Sequence, residues 1–164
     1  MNRVVPKFLT QFGIAADLNL RKKWMEDNLP DDSGGDGGMP FRTGHMSFAG
    51  SGKNSRTTEV FIVMPGTSHS QLDYFGINQW ETPFGYVDPK DVTNVVQEWY
   101  SYGDMPPWGK GPDPPLMKAK DGYEYLKRDF PDLSYINKCE IISYPRGHPN
   151  NGQIEQEEQE EEEL

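Results

Sequence analysis

The alternation of apolar and polar positions along the chain predicts short extended segments more often than long helices. Residues 3–13, Arg3-Val4-Val5-Pro6-Lys7-Phe8-Leu9-Thr10-Gln11-Phe12-Gly13, combine β-branched and alternating apolar positions with a proline at a break, which reads as two short strands. Residues 44–49 and 59–64 repeat the strand pattern around the polar stretch 50–58, and residues 84–87 form a further extended segment. Asp88 before Pro89 is a helix start, because Asp caps free N–H groups and proline is tolerated in the first turn. Val92, Val95, Val96 and Trp99 follow at helical spacing and predict a core-facing stripe. A second short helix is expected over 122–130, stopped by Pro131, and a closing strand over 133–142. Residues 15–29 are mostly polar, with Trp24 and Leu29 as the apolar anchors of an excursion outside the core. Residues 33–38 and 103–115 are Gly-rich loops.

Composition agrees with this pattern. A chain of 164 residues suits one domain, and its 17 Gly and 14 Pro imply many turns, so the expected class is mainly β with one or two short helices. The net charge of -10 is concentrated at the end, where residues 155–163 hold seven glutamates; the remainder sums to -3. The expected organisation is a folded domain over 1–145 and an acidic disordered tail over 146–164. An acidic chain with scattered bases is a poor direct ligand for nucleic acid. No apolar run has the length of a membrane span. The single cysteine, Cys139, excludes an internal disulfide and reads as a strand residue in a reducing compartment, with the cytoplasm as the default. His45, His69 and His148 stand far apart with no cysteine or carboxylate at ligand spacing, so no metal and no cofactor is expected.

The run from Arg3 to Gln11 resembles the cyclophilin motif of Arg, two β-branched residues, Pro, any residue, Phe, Met or Leu, any residue, Gln. The block Gly44-His45-Met46-Ser47-Phe48-Ala49-Gly50 with Glu59-Val60-Phe61-Ile62 is similar to the same family's strand, loop and Phe-bearing strand. Leu72-Asp73, Pro83-Phe84-Gly85-Tyr86-Val87, Tyr102-Gly103-Asp104, Tyr125-Leu126 and residues 130–136 are similar to later landmarks of a divergent cyclophilin-like branch. The resemblance covers about residues 3–142. It implies a monomeric antiparallel β-barrel that isomerises X-Pro bonds in client proteins. Two strands and a helix precede the Arg motif in that family, so the resemblance further implies an N-terminally truncated, incomplete barrel.

It also implies roles for individual residues. Arg3 is the catalytic cation, Phe8, Leu9, Phe61 and Leu72 form the slot for the proline ring, and Gln11 with the backbone at Ala49 and Gly50 holds the substrate chain. No nucleophile is required, because X-Pro rotation is slow only through amide resonance. A fixed cation that hydrogen-bonds the imide nitrogen weakens that resonance. Three positions depart from the family pattern. Gln71 stands where a pocket-closing ring is often found and Glu81 or a neighbour where His is common. Glu59 replaces a usual Gln and is expected either to pair with Arg3 or to face solvent. Asn54 is expected as a turn residue. Two further readings remain: a catalytically weak proline-peptide-binding module, and a structural domain whose acidic tail recruits basic partners.

Overall fold

A computed structural model of the chain describes residues 1–25, 27–32, 39–141 and 143. Its centre is an antiparallel sheet of five strands: β1 (Arg3–Val5), β2 (Leu9–Phe12), β3 (His45–Phe48), β4 (Val60–Val63) and β5 (Gly85–Tyr86). The spatial order is β1-β2-β4-β3-β5, and every ladder is antiparallel. Among the described residues β1 and β5 do not pair, so the strands form an open sheet and no closed barrel.

Val5-Pro6-Lys7-Phe8 makes the turn between β1 and β2, with the Phe8 N–H donating to the Val5 carbonyl at 3.1 Å. Pro6 supplies the fixed φ of the first central position. The second requires a left-handed residue, and Lys7 takes it with φ 62°. This turn sets the register Arg3↔Gln11, Val4↔Thr10 and Val5↔Leu9.

Register then divides the side chains between two faces, because residues paired across strands share a face. On one face Arg3, Gln11, Phe61 and Ser47 form a row across β1, β2, β4 and β3, with Leu9 and Val63 in the next row. Leu9, Phe61 and Val63 pack there with Phe41 and Phe75, the latter from helix α2 (His69–Phe75). The opposite face carries Ile62, packed with Met64 and Val96 and flanked by Phe12, Met46, Val87 and Trp99. A third cluster of Met117, Leu126, Phe130 and Leu133 joins helix α4 (Pro114–Lys118) to helix α5 (Gly122–Asp129).

Asp88 caps helix α3 (Pro89–Asn94), its carboxylate accepting from the Lys90 N–H. Several expectations change. The described residues contain five α-helices, not one or two. Residues 18–25, expected in a polar excursion, form helix α1 (Leu18–Met25). Trp24 and Leu29 do not anchor it; they are 50% and 39% exposed, and Arg21 is the buried residue. Helix α3 ends before Val95, which is exposed, so the stripe reduces to Val92 and Val96 with Trp99 half-buried. Residues 133–141 form no strand, and Cys139 is exposed there, because no neighbouring strand offers that segment a ladder. Residues 33–38, Ile142, His148 and the acidic tail lie outside the described residues.

Candidate functional site

The sheet face carrying Arg3 opens onto a cavity of about 640 Å³. Six of the eight residues singled out from the sequence line it: Arg3, Leu9, Gln11, Ala49, Gly50 and Phe61. They come from β1, β2, the end of β3 and β4, and the cross-strand register brings them together. Phe8 and Leu72 do not line the cavity. Both pack against the apolar cluster beneath it, and the Phe8 ring lies 5.6 Å from the Arg3 guanidinium carbon.

The floor is aromatic. Phe61 stacks on Phe75 at 5.1 Å and on Phe41 at 5.8 Å between ring centroids, and Phe8 stacks on Phe75 at 5.3 Å. Such pairs fix one another's orientation, which keeps the cavity's shape when it is empty. Phe41 and Phe75 escaped the sequence reading because neither belongs to a strand pattern. A surrounding loop and α2 deliver them.

Arg3 is held by a partner that the sequence did not reveal. Its Nε donates to Asp104 Oδ1 at 2.6 Å and its Nη2 to Asp104 Oδ2 at 3.0 Å, a two-point grip. Nη1 donates to Gln11 Oε1 at 3.5 Å. The loop that presents Asp104 is tightly closed. Gly111 N–H donates to the Asp104 carbonyl at 2.8 Å, and a Cβ at Gly109 would come within 2.3 Å of that same carbonyl oxygen. Val4 bridges to Gly103, which ties the loop to β1 beside Arg3. The sequence marks Asp104 only as part of the Tyr102-Gly103-Asp104 landmark, since its direction depends on loop closure.

Glu59 neither pairs with Arg3 nor faces solvent. It is buried, accepts from Gln11 Nε2 at 3.1 Å and Asn2 Nδ2 at 3.4 Å, and pairs with Lys118 Nζ at 2.8 Å. The result is a continuous polar chain Asp104–Arg3–Gln11–Glu59–Lys118 along the cavity, alternating in charge and therefore self-compensating.

The other departures also find places. Gln71 does not close the pocket; its side chain completes the capping box of α2, accepting from Ser68 N–H at 3.1 Å. A ring does approach from elsewhere. Trp80 packs over Gly50 so closely that a Cβ there would lie 2.6 Å from Trp80 Cδ1. Glu81 lines the cavity, and burial raises its carboxyl above the usual value, partly opposed by the hydrogen bond from Asn78. Asn54 is the expected turn residue, with φ 53° and reciprocal hydrogen bonds to Asp31.

Among the described residues no three His, Cys, Asp or Glu side chains gather as a metal site, and no helix is long and apolar enough to cross a membrane. No family model, curated protein or solved structure matches the chain.

Proposed function

We propose that this chain binds proline-containing segments of client proteins and accelerates cis/trans isomerisation of the X-Pro bond, on a divergent cyclophilin-like plan. The observation that carries the reading is the convergence of Arg3, Leu9, Gln11, Ala49, Gly50 and Phe61, up to 58 positions apart in sequence (61 minus 3), on one aromatic-floored cavity.

The chemistry follows from the parts. The ring of proline is apolar and suits the Leu9–Phe61–Phe75 floor. Rotation about the X-Pro bond moves the preceding carbonyl while the ring stays gripped, so the twisted state is favoured if it gains a hydrogen bond absent from both planar states. Arginine carries five N–H donors. Three of them serve Asp104 and Gln11, which leaves one on Nη1 and one on Nη2 for substrate. The Asp104 grip removes the conformational freedom that an arginine side chain otherwise loses on binding.

A second reading, proline-peptide binding without turnover, is favoured by the same contact, because Asp104 already compensates the charge that would act on the imide nitrogen. One experiment separates the two. Exchange of an Ala-Pro peptide is followed by NMR exchange spectroscopy with the wild-type chain, Arg3→Ala and Arg3→Lys. Acceleration that disappears in Arg3→Ala with peptide binding retained supports catalysis by Arg3. Shifts on binding with no acceleration support the second reading, and acceleration that survives Arg3→Ala refutes the assignment of Arg3.

A further inference from the structure

The cavity's lining inverts the charge of the molecule around it. Without the glutamates of residues 155–163 the chain carries -3, yet five basic side chains, Arg3, Arg21, Lys22, Lys118 and Lys120, and only two acidic ones, Glu59 and Glu81, line this cavity. The inner charges are consumed. Arg3 is taken by Asp104 and Lys118 by Glu59. Lys22 and Lys120 are exposed and, among the described residues, in no ion pair.

Their proximity has a structural cause. Arg21 is buried and spends its guanidinium on four backbone carbonyls: Nε to Ala15 at 3.0 Å, Nη2 to Ala16 at 3.2 Å, and Nη1 to Met117 at 3.3 Å and Ala119 at 2.6 Å. That stitch ties α1 to the C-terminal end of α4 and the residue after it, and Lys22, next to Arg21, and Lys120, next to Ala119, both line the cavity. The chain Arg3–Gln11–Glu59–Lys118 links the end of α4 to the apolar floor. An apolar floor beside two ammonium groups that are in no ion pair among the described residues fits a ligand that joins an apolar ring to an anion.

Resting on the isomerase reading, we propose that the cavity selects proline segments flanked by an anionic residue, with the anion held by Lys22 and Lys120 and the proline ring on the Leu9–Phe61 floor. The anion is a carboxylate side chain or a phosphate ester, and both present the same oxygen acceptors to two ammonium donors.

The test uses the full chain and four peptides that share one X-Pro unit, flanked by Gln, Lys, Glu or phosphoserine. Affinities come from chemical-shift titration and exchange rates from the same spectra. The Glu or phosphoserine peptide is expected to bind about three- to tenfold more tightly than the Gln peptide at low salt, and the Lys peptide more weakly. The advantage shrinks as NaCl rises to about 0.5 M, since exposed pairs are screened. The Glu-to-Gln affinity ratio approaches one in Lys22→Gln/Lys120→Gln and returns in the double Arg variant. Whichever anionic peptide binds more tightly names the source of the anion.

Equal affinity for the Glu and Gln peptides, or a preference that survives the double Gln variant, overturns the inference. If exchange of the Gln peptide is nonetheless accelerated, the isomerase reading stands. If no peptide binds, both fall.

Discussion

Replacing Asp104 by Asn tests whether the two-point grip on Arg3 holds the candidate site together. The substitution keeps the side chain's shape and one acceptor for Arg3 Nε, but removes the charge. The two side chains are only 14% and 19% exposed, so the pair lies between a surface and a buried ion pair. Opposite charges about 4 Å apart attract by about 4 kcal/mol at the effective dielectric of such sites. Desolvation offsets part of this, while loss of one partner leaves Arg3 uncompensated in a half-closed cavity. Together these give an expected loss of about 2–3 kcal/mol. Urea unfolding of wild type, Asp104→Asn, Arg3→Met and the double variant measures it as a double-mutant cycle, with the same four proteins assayed for Ala-Pro exchange. If the grip is the interaction, the double variant loses much less than the sum of the singles. A coupling energy below about 0.5 kcal/mol would show that Asp104 stabilises its own loop and does not orient Arg3.

Glu81 makes stability depend on pH in a definite direction. Its folded-state value lies above the 4.5 of an unperturbed glutamate, so its contribution is fully present below that value and is lost as pH rises through the raised one. Glu81→Gln should remove this loss, and urea midpoints across pH 4 to 8 should show the variant gaining on wild type as pH rises; parallel curves would refute the desolvation of Glu81. Lys7, at φ 62°, bears a left-handed conformation that costs a side-chain-bearing residue about 1–2 kcal/mol. Lys7→Gly should stabilise by about 0–1 kcal/mol after the extra unfolded-state entropy of glycine is subtracted, whereas Lys7→Ala should bring no gain in thermal unfolding.

Much of the sheet was legible in the sequence because its signals are local. Alternation or a short run of β-branched and apolar residues marked β1, β2, β3 and β4, and Asp88-Pro89 marked the start of α3. Residues that share a strand must alternate between faces, so Arg3, Leu9 and Gln11 were bound to a common face once strand pairing was known. Residues 133–141 misled because their apolar pattern describes a segment able to pair, and pairing needs a neighbour that only the tertiary structure supplies. Helix α1 was missed for the complementary reason. Its buried residue is an arginine, and Arg21 is acceptable inside only because four carbonyls surround it, two from the preceding Ala15 and Ala16 and two from the distant Met117 and Ala119.

The sequence by itself therefore determined most of the strand segments and the first turn of α3, which rest on near neighbours in the chain, whereas the row facing the cavity needed the long-range pairing of β2 with β4. Tertiary structure alone decided the partners of the charges. Asp104 reaches Arg3 across 101 positions, and Lys118 reaches Glu59 from a separate helix. Ion pairs carry no periodicity, so composition and spacing leave them undefined until loops close and bring the charges within a few ångströms.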